Sequence, residues 1–371
     1  MPLKFRKQLI SAESFEAAAA FDVDNDGTLD IVTAGFWYKG PDFRQRFPIG
    51  AGGPSLPRIR DYYDEFSVIP LDITGDGNLD FVTGGWWGDS LRYWKNPGRH
   101  EFGWNMKPWT CHTIAEKTGN VETTRAWDID DDGQLEIVPN TPGAPLCAYK
   151  LERDKNGKGT GQFTQHVLFP TGLGHGLGFG DIDGDGKGEF ITPKGILKQP
   201  AGGALSGHWT LSEELAVGGD ASIPVLVEDI NGDGLAELIV GGSHSYGLSW
   251  WQQSATAGKR TWTRHPIDPF NSQYHDLHWR DIDGDGKPEL ITGKRHLAHC
   301  GQDPGDYDDL GIYYFKWTGE GFAKQFIDYG PPGVGAGCGI QFDIADLRKT
   351  GRLDIIAPGK DGLHVFFNEG S

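Results

Sequence analysis

The sequence predicts an all-β protein: a seven-bladed β-propeller of four-stranded blades, closed by the N-terminal strand completing the last blade. Three observations predict it. A nine-residue acidic loop recurs seven times, at Asp22 (DVDNDGTLD), Asp72 (DITGDGNLD), Asp128 (DIDDDGQLE), Asp181 (DIDGDGKGE), Asp229 (DINGDGLAE), Asp281 (DIDGDGKPE) and Asp346 (DLRKTGRLD). The copies follow one another at a period of about fifty residues, the size of a supersecondary unit that cannot bury its apolar face alone. Short apolar runs beside turn residues frame each loop, and such runs read as strands.

Along the chain, residues 3–10 (LKFRKQLI) alternate polar and apolar side chains and read as a strand. FEAAAAFDV and LDIVTAG then frame the first loop. The second unit shows all four strand pieces: FSVIPLDI, LDFVTGG, LRYWKN and WTCHTI. Its fourth piece, an aromatic followed by alternation, recurs as FTQHVLF, WTRHPI and FAKQFI. HDLHWRDI and PELITGK frame the sixth loop. The seventh unit stops at GLHVFFN without a fourth piece, so residues 3–10 are expected to supply the outer strand of that blade. Sharing a blade closes the ring and leaves no exposed inner edge. Residues 1–371 are therefore expected to form a single propeller.

The loops carry oxygen side chains at positions 1, 3, 5 and 9, and a glycine at position 6. The sets are Asp22, Asp24, Asp26 and Asp30; Asp72, Asp76 and Asp80, with Thr74 at position 3; Asp128, Asp130, Asp132 and Glu136; Asp181, Asp183, Asp185 and Glu189; Asp229, Asn231, Asp233 and Glu237; and Asp281, Asp283, Asp285 and Glu289. Hard oxygen ligands on alternate positions, followed by a tight glycine turn, suit calcium. Up to six structural calcium ions are expected, the second site being weaker. In the seventh copy Arg348 and Thr350 stand where ligands should be. An arginine cannot ligate a cation, so Arg348 is expected to supply the charge itself.

These loops and their frames resemble FG-GAP or VCBS repeats, the calcium-bearing blades also found in integrin heads. The resemblance covers nearly the whole chain and implies the propeller fold. YWKNPG…WTCHTI at 93–114 and HDLHWRDIDGDGKPELITG at 275–293 also resemble the propeller domain of the aldos-2-ulose (anhydrofructose) dehydratases. Those enzymes eliminate water from a keto-sugar and share their general logic with propeller polysaccharide lyases. No segment of residues 1–371 is expected to correspond to the cupin and lectin-like domains of that family.

The formal net charge is −18 and the pI about 5.0, with much of the excess in the acidic loops. That balance argues against nucleic acid or an anionic membrane as partner. No apolar run approaches the ~18 residues of a membrane-spanning helix. MPLKFRKQLI has no apolar core of signal-peptide length. Weak calcium loops fit an extracellular or periplasmic setting better than a cytosolic one. The four cysteines form no CxxC motif. Cys111 and Cys147 read as buried strand thiols, whereas Cys300 and Cys338 fall on one face of neighbouring blades, which leaves a disulfide between them open.

Antiparallel strands put the acidic loops on the bottom face and the connections that enter each first strand and leave each second strand on the top. Six residues ahead of each loop stand Glu16, Phe66, Glu122, His175, Ile223, His275 and Ile340, at the mouth of the central channel. Two longer insertions, 57–66 and 294–311, project on the same face, and long loops on one face carry function. The candidate catalytic residues are His175, His275, Lys294, Arg295 and Tyr63. The candidate substrate contacts are Trp37, Trp86, Trp87, Glu122, Arg125, Lys194, His244, Tyr246 and His296.

Aromatic platforms with charged fingers suit a sugar, whose C–H faces stack while its hydroxyls need donors and acceptors. The expected activity is β-elimination on a sugar or uronic-acid glycan. His175 and His275, with His244 and with Glu122 or Glu16, could hold a catalytic divalent metal such as zinc. Lys294, Arg295 or Lys194 would neutralise substrate charge, and a histidine or Tyr63 would be the base; in the alternative without a top-face metal, His175 is itself the base. Two other readings stand beside it: a non-catalytic glycan- or protein-binding propeller, and a glycoside hydrolase using Glu16 and Glu122.

Overall fold

The computed structural model describes residues 2–50, 62–98, 107–256 and 259–371. These residues form seven four-stranded antiparallel sheets, and no α-helix is found among them. Six blades are built from strands consecutive in sequence. The seventh takes its three inner strands from Asp343–Ala345, Asp354–Ala357 and Leu363–Gly370. Its outer strand is Lys4–Ser11, which pairs antiparallel with Leu363–Gly370. The closure expected for residues 3–10 is thus observed.

The second strand of each blade is buried throughout. Asp80–Gly84, Glu136–Asn140 and Glu237–Gly241 have no exposed position. Their side chains fill the wedges between blades, as in the cluster of Ile69, Val82 and Leu91 with Ile137, Tyr149 and Leu151. The outer strands alternate, as a strand with one wet face must. Thr110–Glu116 is mostly exposed. That exposure corrects the expectation for Cys111, which lies on this strand and is exposed, whereas Cys147 is buried. Cys300 is exposed and Cys338 buried, and no disulfide joins them.

The innermost strands are short and line the channel. Arg125 reaches across it to Asp276 Oδ1 at 2.7 Å and to the Ile223 carbonyl. Neighbouring blades touch at their inner ends, where Gly178 bridges Val225 and His175 bridges Asp220. Gly176 lies between those bridges with φ +127°, and a Cβ there would stand 2.7 Å from the Ala221 Cβ. The glycine beside His175 therefore makes room for the next blade.

Candidate functional site

Four side chains meet at the top of the channel. Glu122, His175 and His275 each sit just ahead of an innermost strand, those being Thr123–Trp127, Gly178–Gly180 and Leu277–Arg280. His244 comes from the connection after Glu237–Gly241. One ligand atom from each of the four lies within 4.8 Å of every other. Glu122 Oε1 is 3.3 Å from His275 Nε2, 3.5 Å from His175 Nε2 and 3.8 Å from His244 Nε2.

The other ring nitrogens fix the tautomers of two rings. His175 Nδ1 is 3.0 Å from the Ala221 carbonyl, and His244 Nδ1 is 2.7 Å from Asp303 Oδ2. Both partners only accept, so both Nδ1 atoms carry the proton and both Nε2 atoms present lone pairs. Burial, then Arg295 and His175, holds the His244 imidazole far below its ordinary pKa. Burial lowers His275 to about 4. Burial opposes the Glu122 anion, but the close imidazoles of His175 and His275 and the charge of Arg295 outweigh it and hold this carboxyl well below its usual range. Three imidazoles around one carboxylate are a donor set that suits zinc.

Arg295 links this cluster to a second carboxylate. Its Nε donates to Glu16 Oε2 at 3.0 Å, while its Nη1 lies 3.6 Å from Glu122 Oε1. Lys360 also bonds Glu16 and lies 3.7 Å from the Tyr62 ring centroid. Burial opposes the Glu16 charge, but these two cations outweigh it and lower its pKa. Arg295 Nη1 is buried and has no hydrogen-bond partner among the described residues.

A cavity of about 520 Å³ opens above this group. Tyr62, Phe66, Trp86 and Trp87 contribute its aromatic lining, and Glu122, Arg295, His299, Cys300 and Gln302 its polar lining. The volume falls in the ~300–1,000 Å³ range of small-ligand sites.

The structure brings together His175, His275, His244, Glu122 and Arg295, and it sets Trp86 and Trp87 on the cavity. It places the other candidates elsewhere. Lys294 is fully buried, with Nζ on Ser272 Oγ at 2.9 Å and on the Gly305 carbonyl, so it clamps the 294–311 insertion. Tyr63 turns to Glu13 and Phe15, and its neighbour Tyr62 lines the cavity instead. Trp37 lies within the third strand Phe36–Lys39 and stacks on Phe47, with ring centroids 4.5 Å apart. Arg125 spans the channel below, Lys194 bonds the Gly172 carbonyl, and Tyr246 bonds Asp308. His296 is buried outside the cavity lining. Residues 57–61 of the first insertion lie outside the described residues. Asp303 is the partner that sequence reasoning missed, and a carboxylate in a long top-face insertion was its only signal.

The acidic loops connect first to second strands at the opposite ends of the blades. Position 9 accepts the N–H of position 2 in each of six loops, as in Val23 to Asp30 at 2.9 Å and Ile129 to Glu136 at 3.0 Å. Buried oxygens of Asp24, Asp130 and Asp183 at position 3 have no hydrogen-bond partner among the described residues. Burial raises the position-9 carboxyls of Asp30, Asp80, Glu189 and Glu237 to about 7. Crowded, poorly solvated oxygens of this kind fit a bound cation.

In five loops a third-strand lysine also reaches the acids: Lys39, Lys95, Lys150, Lys198 and Lys316. Lys150 touches Asp130, Asp132 and Glu136 at 2.6, 2.7 and 3.2 Å. In the seventh loop Arg348 pairs with Asp354 at 3.0 Å.

Residues 229–292, which span the fifth and sixth acidic loops, match the FG-GAP-like repeat family. A search of curated proteins found no match. Among solved structures, the chain is similar to the exotype rhamnogalacturonan lyase YesX, at TM-score 0.52 and 13% identity over 99% of this chain and 73% of that one. It is also similar to BBS1N in its complex with ARL6DN, at TM-score 0.54 and 10% identity over 99% of this chain and 96% of that one. Both likenesses are of fold. The chain is a seven-bladed β-propeller that carries an FG-GAP-like repeat in residues 229–292.

Proposed function

We propose that the protein is a carbon–oxygen lyase that performs β-elimination on a sugar or uronic-acid glycan in the top-face cavity. His175, His244, His275 and Glu122 would hold a divalent metal such as zinc, and the acidic loops would take up structural calcium. The observation that carries the reading is the convergence of three imidazoles and a carboxylate beneath a cavity with an aromatic wall. YesX is itself a rhamnogalacturonan lyase, which supports the reading as a precedent on a similar fold.

A bound metal would supply Lewis acidity at the substrate carbonyl or carboxylate oxygen. Trp86 and Trp87 would stack on the C–H face of the sugar. Arg295 Nη1 would donate to the oxygen on which negative charge develops. His299 would be the base. Its Nδ1 is 2.8 Å from Asp303 Oδ1, which leaves Nε2 to accept the proton from the carbon next to the carbonyl. The released electron pair forms the C=C bond, and the C–O bond one carbon further on breaks. Burial keeps the Tyr62 hydroxyl protonated, so it would donate to the leaving oxygen.

Glu16 and Glu122 share Arg295 and do not flank the cavity as a pair, which gives the hydrolase reading no support. The test is the ultraviolet absorbance of a conjugated double bond during incubation with uronic-acid glycans and keto-sugars. Absorbance that rises with the wild type and is lost in His299→Ala and Arg295→Ala supports elimination. New reducing ends without that absorbance, or binding alone, contradict it.

A further inference from the structure

The connection between the second and third strands of blade six, Glu289–Gly293 and Leu310–Trp317, is long, whereas its counterpart in blade one is only residues 34–35. This loop is fastened from below. Lys294 holds the Gly305 carbonyl, and Gln273 Nε2 bonds Asp306 Oδ1. Asp306 Oδ2 in turn accepts the Asp303 N–H at 2.8 Å. Leu297, His299 and Cys300 all adopt left-handed φ, at 51°, 47° and 59°. Non-glycine residues rarely stay there unless surrounding contacts hold them.

The loop delivers one carboxylate to two histidines. Asp303 Oδ2 lies 2.7 Å from His244 Nδ1, and Asp303 Oδ1 lies 2.8 Å from His299 Nδ1. The two imidazoles stack at 4.3 Å with an interplanar angle of 11°. An ionised carboxylate only accepts, so it holds both rings in the same tautomer. His244 then turns Nε2 into the cluster with His175 and Glu122, and His299 keeps Nε2 free at the cavity lining.

We propose that Asp303 is the positioning residue of the top-face site, fixing His244 as a metal ligand and His299 as the base, and so coupling the seating of the 294–309 loop to metal binding. This rests on the metal reading above. A carboxylate behind a ligating histidine orients the ring and raises its basicity. The coupling runs in both directions: metal on His244 favours the Nδ1–H that Asp303 accepts, and the seated loop favours metal.

The test measures zinc affinity of the full chain by competition with a chromophoric chelator, for wild type, Asp303→Asn and Asp303→Ala. Both variants are expected to bind about 10–100-fold more weakly. The Asp303→Asn apo-protein should melt with the wild type, which separates positioning from a general loss of structure. Amide exchange provides a readout that needs no variant, since zinc should slow exchange across residues 297–306 of the wild type. Equal affinity in wild type and Asp303→Asn, or no slowing in that segment, overturns the role of Asp303 alone. A wild type that takes up no zinc overturns the metal reading, and this inference with it.

Discussion

His175 and His244 face each other Nε2 to Nε2 at 3.2 Å, while the Nδ1 of each is engaged elsewhere, on the Ala221 carbonyl and on Asp303. Two lone pairs at that distance repel unless a proton or a cation lies between them. Burial and the nearby Arg295 oppose protonation of His244. A divalent ion satisfies both rings at once and offsets the Glu122 charge as well.

Metal uptake should therefore depend on the cluster. Replacing His175 or His275 by alanine removes a ligand and should lower zinc affinity by more than the ~10–100-fold that an outer-shell partner costs. Chelator competition on each purified variant checks this. Affinity equal to the wild type in either variant contradicts it.

His296 gives the protein an acid-sensitive limb. Burial first, then Lys360 and Lys294, lowers its pKa to about 4. The unfolded chain binds a proton near pH ~6.5, where the folded chain does not. This contribution is fully present above that value, is lost as pH falls toward about 4, and is constant below. Each unit of depression is worth about 1.4 kcal/mol. His296→Gln should lose less stability than the wild type between pH 7 and pH 5, with urea midpoints as the measure. Parallel losses would contradict the assignment.

The third-strand lysines should compete with calcium. Lys150 Nζ already occupies the space between Asp130, Asp132 and Glu136, so a divalent ion must displace it. Lys150→Met should raise the calcium affinity of that loop by on the order of tenfold, because affinity follows the net ligand charge. Terbium luminescence or calorimetry reads the change. Unchanged or weaker binding would show that the lysine and the ion do not share the space.

The closing strand should govern both stability and solubility. Lys4–Ser11 covers the edge of Leu363–Gly370, and Lys7 ties it to Asp328 of the neighbouring blade at 2.6 Å. Deleting residues 2–11 exposes an unpaired edge. The melting temperature should fall by ~10 °C or more, given about 2–4 °C per kcal/mol in large domains. Size-exclusion chromatography should show association. A monomeric truncation with unchanged melting would mean that the strand is dispensable.

The repeat made the ring legible, because each of the seven nine-residue loops marks one first-to-second-strand turn and its spacing leaves room for four strands. Counting six residues back from each loop also found Glu122, His175 and His275, since an innermost strand has a fixed length from bottom to top. Register failed where turns were short. Residues 34–35 alone join two strands, so Trp37 belongs to the third strand and packs between blades. Tyr62 and Tyr63 are adjacent, and alternation alone could not say which of the two faces the cavity. Lys294 and Asp303 depend on how the 294–311 insertion folds back, a tertiary outcome that no local pattern encodes.

The most direct measurement is anomalous scattering from crystals of the wild-type chain grown with zinc and calcium, collected on both sides of the zinc edge. The account predicts one zinc peak bounded by His175, His244, His275 and Glu122, with calcium confined to the acidic loops on the other face. A cluster that stays empty at full zinc occupancy elsewhere, or a zinc peak only in the acidic loops, would contradict it.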